Sequence, residues 1–155
     1  MPMIIQVVGA SGSGKTFVLE RAIRRLRAEG YRVAALKHSH HPIDVRGKDT
    51  DRLRRSGANP VLFVSRGWAL FASGEPWDLL PTLPVDVVLV EGYHRRRLSR
   101  HRYRVERPGD APEVVEEILR VVRGAIPHPP VHPRPPSGKP ALRRARRARR
   151  SGSSR

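Results

Sequence analysis

The chain has 155 residues, a length suited to one domain with an extension. It lacks cysteine, which excludes disulfides and thiolate metal sites and suits a reducing cytoplasm, and its formal net charge is +17. No apolar run approaches the roughly 20 residues of a membrane-spanning helix, so we expect no membrane span.

The first strong pattern is a phosphate-binding loop. Residues 9–16 read Gly-Ala-Ser-Gly-Ser-Gly-Lys-Thr, a match to the P-loop pattern G-x-x-x-x-G-K-[ST]. The β-branched run at 3–8 predicts a buried strand, and residues 17–29 predict a helix that ends at Gly30. Amide groups of such a loop and the positive end of its helix bind phosphate, the lysine reaches the β- and γ-phosphates, and the hydroxyl binds Mg²⁺. The predicted phosphate-binding residues are Gly9, Ala10, Ser11, Gly12, Ser13, Gly14, Lys15 and Thr16, with Thr16 also a metal ligand.

Residues 32–37 predict a second strand, which runs into a histidine-rich segment. His38, His40 and His41, followed by Asp44, allow three interpretations: contact with a nucleotide or partner, loop histidines without a role, or a Zn²⁺ or Ni²⁺ site. Side chains of an extended segment alternate between faces, which disfavours joint binding of one ion.

A polar loop and a short helix follow. Asp49 or Thr50 is expected to cap a helix that reaches Arg55 and ends near Gly57. In P-loop proteins the loop after the second strand often senses the γ-phosphate. We therefore predict that Asp49 holds a Mg²⁺-bound water or orients the attacking water, although helix capping alone also explains it.

The next elements are a hairpin and the strongest strand. Residues 60–65 and 68–72 predict two strands joined at Arg66 and Gly67. Residues 75–84 predict at most one or two helical turns. The run at 85–90 ends at Glu91, the Walker-B arrangement that places a carboxylate near Mg²⁺, whereas Asp86 should lie at the opposite edge. A strand at 103–105 and a helix at 112–123, with Asp110 as a candidate cap, complete the series.

Strands that alternate with helices predict an α/β P-loop NTPase fold of three layers, with a mostly parallel sheet and a small β-hairpin extension. Ligands of such sheets bind beyond the carboxyl ends of the strands. The P-loop, Lys37 with His38, and Glu91 should therefore converge at one edge. Residues 1–126 form the predicted nucleotide-binding domain.

Positive charge is concentrated in two segments. Residues 127–155 contain nine Lys or Arg residues and no acid, and we predict a disordered Pro/Arg-rich basic tail. Nucleic acid, an anionic membrane and an acidic protein are candidate partners, and a solubilising tail without a partner is the alternative. The second segment, from Arg95 to Arg107, binds an anionic ligand or is a solvated loop.

Taken together, GASGSGKT, LKHSHH, GKDT and DVVLVEGY resemble the molybdopterin-guanine dinucleotide biosynthesis protein B (MobB) family, over about residues 3–95. The resemblance implies a P-loop adapter with GTP and Mg²⁺ as cofactors and at most weak GTPase activity. It implies a homodimer paired through residues 60–72 and a partner nucleotidyltransferase of the MobA type, with molybdoenzymes or molybdopterin as further candidates. It supports Lys37 and Asp49 as catalytic residues that sense the γ-phosphate, His38 as nucleotide-binding, and Glu91 as a metal ligand.

Three rival functions remain at this point. A P-loop small-molecule kinase would use Asp49 and the Arg95–Arg107 segment around an acceptor. A metal-insertion GTPase would use the histidine-rich segment. A nucleic-acid-binding module would depend on the tail.

Overall fold

The computed structural model describes residues 1–39 and 43–127. Of the predicted tail all but Pro127 lies outside the described residues, as do His40 and His41. The strands are β1 (Met3–Val8), β2 (Val33–Lys37), β3 (Val61–Val64), β4 (Trp68–Phe71), β5 (Val87–Glu91) and β6 (Arg102–Arg104), and the α-helices are α1 (Lys15–Ala28), α2 (Asp49–Arg55) and α3 (Ala111–Ala125). Short 3₁₀ turns span Pro76–Asp78, Leu80–Thr82 and Pro108–Asp110.

Four strands form one parallel sheet in the order β2-β5-β1-β6. Strand β5 is buried along its whole length, as expected of a central strand in an α/β sheet. The registers pair Val7 and Lys37 with Glu91 from either side. The parallel sheet predicted from the alternating elements is confirmed, and the carboxyl ends of β1, β2 and β5 meet at one edge.

The two long helices lie on the same face of this sheet. Helix α3 packs against α1, and both contribute to the main core with one face of β1 and β5. The opposite face carries Val88 and Val90, which pack under Leu80 and Trp77 of the 3₁₀ turns. That face is covered by turns and loops in place of a long helix. Among the described helices, none combines the length and apolar character that crossing a bilayer demands.

Strands β3 and β4 form a separate antiparallel hairpin, as predicted. The register pairs Val64 with Trp68, and the Ser65 amide donates to the Gly67 carbonyl across the turn. Apolar side chains of both strands remain exposed, with Trp68 74% and Val64 68% accessible. A two-stranded hairpin with this much apolar surface is marginal on its own.

Two helix caps differ from the prediction. Helix α2 begins at Asp49 with Lys48 in the cap position, and no side chain caps it, so neither Asp49 nor Thr50 is the cap. Asp110 occupies the cap position of α3 but does not bond to that helix. Its carboxylate accepts hydrogen bonds from the upstream amides of Glu106 and Arg107, which fold the chain before the helix.

The end of α1 and the position of Asp86 agree with the prediction. Gly30, with φ of 95°, follows the end of α1, where the left-handed region stops a helix at little cost for glycine. Asp86 precedes β5 at the edge opposite the P-loop, as predicted. Its carboxylate accepts the Arg32 amide at 2.7 Å.

Candidate functional site

The P-loop joins β1 to α1 through left-handed glycines. Gly12 and Gly14 have φ of 77° and 99°, a region that few other residues adopt without strain. The Val18 amide donates to the Gly14 carbonyl, so the first helical turn closes directly on the loop. A β-carbon built on Gly9 would lie 2.1 Å from the Val105 carbonyl oxygen. Glycine at position 9 thus lets the loop lie against the segment that follows β6.

The Thr16 hydroxyl donates to the Glu91 carboxylate, with 2.8 Å between Oγ1 and Oε2. Thr16 stands in the first turn of α1, and Glu91 is the last residue of β5. A hydroxyl and a carboxylate oxygen are hard ligands of the kind Mg²⁺ takes in phosphate-binding sites. The predicted pair of metal ligands is therefore brought together, and the donor set fits magnesium.

Glu91 is buried, with 8% of its surface accessible, and it also meets Lys37. The Lys37 ammonium lies 3.4 Å from Glu91 Oε1, and the His38 amide donates to the Glu91 carbonyl at 2.9 Å. Both contacts follow from the register that sets β2 beside β5. The predicted convergence of Lys37, His38 and Glu91 at the strand ends is observed.

A cavity of about 300 Å³ opens between the P-loop and these strand ends. Two lysines and one carboxylate are the charged groups among the described residues that line it. The Lys15 ammonium donates to the Ala10 carbonyl of the same loop. A positively charged cavity that begins at a helix N-terminus suits a phosphate chain. It is lined by Ser11, Gly12, Gly14, Lys15, Thr16, Phe17, Lys37 and Glu91.

Other predicted site residues lie outside this lining. Ser13 is buried beneath the loop, and its amide donates to the Ala10 carbonyl. His38 lines a neighbouring cavity. Asp49, the exposed first residue of α2, is not among the described residues that line the P-loop cavity. The roles proposed for His38 and Asp49 at the γ-phosphate stay predictions.

The histidine-rich segment is only partly described. Among the described residues, no group of three or more His, Asp or Glu side chains is placed to hold a metal ion. Asp44 instead accepts hydrogen bonds from the Val45 amide and the Thr50 hydroxyl. His40 and His41 fall in the undescribed residues 40–42.

Sequence reasoning missed two buried polar residues. Gln6, fully buried in β1, binds the loop after β5 through both ends of its amide. The sequence feature that could have revealed Gln6 is a single amide side chain inside an otherwise apolar strand. Asp51 of α2 accepts the Gly47 amide at 2.8 Å and pairs with Arg54 and Arg55. Hydrogen bonding from the Gly47 amide holds the pKa of Asp51 below its usual value, opposed by burial and aided by the two arginines.

Known proteins resemble this chain both in sequence and in fold. The family model for molybdopterin guanine dinucleotide synthesis protein B matches residues 4–123. The chain is 34% identical to the molybdopterin-guanine dinucleotide biosynthesis adapter protein of Haemophilus influenzae, over 76% of this chain and 72% of that protein. It is 33% identical to the protein of the same name from Escherichia coli, over 76% of this chain and 75% of that protein.

A solved structure shares the fold. The crystal structure of a MobB protein homolog from Bacillus stearothermophilus superposes with a TM-score of 0.52 at 23% identity, covering 78% of this chain and 98% of that chain. The matched residues 4–123 include the P-loop, the Thr16–Glu91 contact and the β3–β4 hairpin. The chain belongs to the family of molybdopterin guanine dinucleotide synthesis protein B, MobB.

Proposed function

We propose that this protein is a GTP-binding adapter of molybdopterin guanine dinucleotide biosynthesis that uses Mg²⁺ and hydrolyses GTP at most slowly. Family membership supports the adapter role, since the relatives from Haemophilus influenzae and Escherichia coli are both named as biosynthesis adapters. The observation that supports the nucleotide site best is the contact between Thr16 and Glu91 at the mouth of the P-loop.

In this proposal the P-loop amides and Lys15 hold the phosphates, and Thr16 with Glu91 holds the metal. The metal, when bound, neutralises phosphate charge. Lys37 is close enough to Glu91 to add positive charge on the γ-phosphate side, with Asp49 and His38 as further candidates. Slow hydrolysis is supported by the lining, which among the described residues contains lysines and no arginine that could stabilise the transition state.

The adapter would act with a nucleotidyltransferase of the MobA type, and with molybdopterin or molybdoenzymes as further partners. A homodimer formed through β3 and β4 is supported by the exposed apolar side chains of that hairpin. A cytoplasmic location is supported by the absence of cysteine from the sequence.

Titration calorimetry with GTP and Mg²⁺ tests the nucleotide site. Lys15→Ala should abolish measurable GTP binding while leaving the thermal unfolding temperature nearly unchanged. The matched control is Arg24→Ala, an exposed position on the same helix whose ion pair to Glu20 is long at 4.0 Å. Full GTP affinity in Lys15→Ala would refute the assignment. Comparison of GTP with ATP by thermal shift then tests the base preference.

A further inference from the structure

A second cavity, of about 360 Å³, lies beside the P-loop cavity at the carboxyl ends of β2 and β5. We call it the arginine pocket. Its position follows from the strand ends. Lys37 and Glu91 line the P-loop cavity, whereas His38, directly after β2, and Tyr93, two residues after the end of β5, line the pocket. The lining consists of His38, Glu75, Tyr93, His94, Arg95 and Arg96.

The backbone of the pocket is fixed by one buried side chain. The carbonyl oxygens of Gly92, Tyr93 and Arg96 lie 3.0, 3.1 and 2.9 Å from Gln6 Nε2, so the two N–H groups of this amide are shared among three acceptors. Its Oε1 accepts the Leu98 amide at 3.1 Å. Because Gln6 is held in β1 and is fully buried, the loop carrying the pocket residues is anchored to the strand that leads into the P-loop. The pocket is therefore formed in advance of any ligand.

The rings of Tyr93 and His38 line the pocket, and Trp77, which is not among its lining residues, packs against Tyr93. The Tyr93 ring lies 4.1 Å from the His38 ring and 5.2 Å from the Trp77 ring, centroid to centroid. The guanidinium of Arg96 stands 4.9 Å from the Trp77 ring centroid. Tyr93 has φ of 55°, unusual for a residue with a side chain, and its hydroxyl donates to Glu75 at 2.9 Å. The Tyr93 and His38 rings that line the cavity offer flat surfaces suited to a flat ligand.

The charge of the pocket is positive. Of the described residues that line the pocket, Glu75 is the one acid, and its carboxylate accepts a hydrogen bond from the Tyr93 hydroxyl. Within residues 1–39 and 43–127, no carboxylate forms an ion pair with Arg95, Arg96 or His94, since the ion pairs of the described chain involve other residues. Guanidinium groups without a carboxylate partner, next to a cavity, favour an anion, and above all a phosphate.

We propose that the arginine pocket binds an anionic compound with a flat heteroaromatic ring, of the class of a phosphorylated pterin, next to the nucleotide held by the P-loop. The choice of a pterin rests on the proposed function, whereas the requirement for a flat anion rests on Arg95, His94 and the Tyr93 ring. Two neighbouring sites on one strand edge would let the adapter hold a pterin and a nucleotide at the same time.

The test uses 6-carboxypterin, a fluorescent flat anion, titrated into the full-length protein with GTP and Mg²⁺ present. Arg95→Ala should weaken binding at least tenfold. Arg104→Ala is the matched control, an exposed arginine of the same basic segment outside this lining, and should keep the wild-type affinity. Uncharged pterin should bind at least tenfold more weakly than 6-carboxypterin. His94→Gln provides a second variant if Arg95→Ala fails to fold, as judged by circular dichroism.

Lys15→Ala separates this inference from the proposed function. If the pocket is the site, Lys15→Ala loses GTP and keeps 6-carboxypterin. Loss of 6-carboxypterin in Lys15→Ala with unchanged affinity in Arg95→Ala would place the anion in the P-loop and overturn the inference. Equal affinity for charged and uncharged pterin would overturn it as well. Wild-type protein that binds 6-carboxypterin in an Arg95-dependent way but does not bind GTP would support the pocket and refute the proposed nucleotide function.

Discussion

The Thr16 hydroxyl and the Glu91 carboxylate are separated by 75 positions in the sequence and by 2.8 Å in the structure. The contact joins the first turn of α1 to the end of β5, two neighbouring features of the same sheet edge. It places side by side the two groups that we propose as ligands of Mg²⁺.

Glu91→Gln should remove most of the effect of Mg²⁺ on GTP binding. The amide keeps the size of the side chain and its ability to accept from Thr16 but lacks the charge that holds a divalent cation. We expect GTP affinity in the presence of Mg²⁺ to fall by about tenfold or more, as for the loss of a charged ligand. Titration with and without EDTA measures this. A variant that still gains full affinity from Mg²⁺ would contradict the metal assignment, and GTP affinity in EDTA should match the wild type.

Gly9→Ala should destabilise the protein through a steric clash. The added methyl group would lie 2.1 Å from the Val105 carbonyl oxygen, and backbone cannot yield as a flexible side chain can. Forcing an extra carbon into a filled site typically costs about 1–3 kcal/mol. The control is Gly109→Ala, where a β-carbon would meet nothing within 4 Å. Urea denaturation of both variants measures the difference, and equal stability would refute the close approach.

Asp51→Asn should destabilise the region of α2 in a pH-dependent manner. The pKa of Asp51 is lowered in the folded protein, chiefly by the Gly47 amide, so its carboxylate contributes stability above the ordinary aspartate pKa. That contribution is lost as the pH falls through the lowered folded value. At pH 7 the variant should therefore have a lower thermal unfolding temperature than the wild type. The difference between the two temperatures should shrink as the pH falls toward the point where the protein unfolds in acid. Asp49→Asn, an exposed change on the same helix, should leave the unfolding temperature close to that of the wild type.

Trp68→Glu should convert a dimer to a monomer if β3 and β4 join two copies. Trp68 is 74% exposed on the hairpin, and a charge there would be unfavourable in an apolar interface. Sedimentation velocity of the full chain distinguishes the dimer from the monomer. Leu79→Glu, at another exposed apolar position outside the hairpin, should leave the mass unchanged. A wild-type protein that sediments as a monomer at high concentration would refute the homodimer.

The sequence predicts the elements that carry strong local signals. The β-branched runs that became β1 and β5 and the glycine-rich loop between β1 and α1 were found at nearly their observed positions. Their convergence followed from the rule that parallel strands expose their carboxyl ends at one edge. The meeting of Thr16 with Glu91 was predictable because each belongs to a motif with a known place on that edge.

Features that depend on tertiary packing were not predictable in this way. The cap expected at Asp49 failed because α2 already begins at that residue, which leaves Lys48 in the cap position. The cap expected at Asp110 failed because the upstream amides of Glu106 and Arg107 bind its short carboxylate, and only the folded loop brings them within reach. The arginine pocket unites Glu75, Tyr93 and Arg96 from two separate loops, and no periodicity links them. Gln6 holds the backbone of the loop that carries Tyr93 and Arg96, and the sequence alone does not indicate these long-range hydrogen bonds.

Gln6 also constrains the length of the loop that follows β5. Its single amide group reaches the carbonyls of residues 92, 93 and 96 and the amide of residue 98 at once, so the number of residues between these points is fixed by one side chain. An insertion or deletion between Tyr93 and Leu98 would move at least one of these backbone groups away from the Gln6 amide. Relatives whose chain differs in length over this stretch should therefore carry a different residue at the position of Gln6.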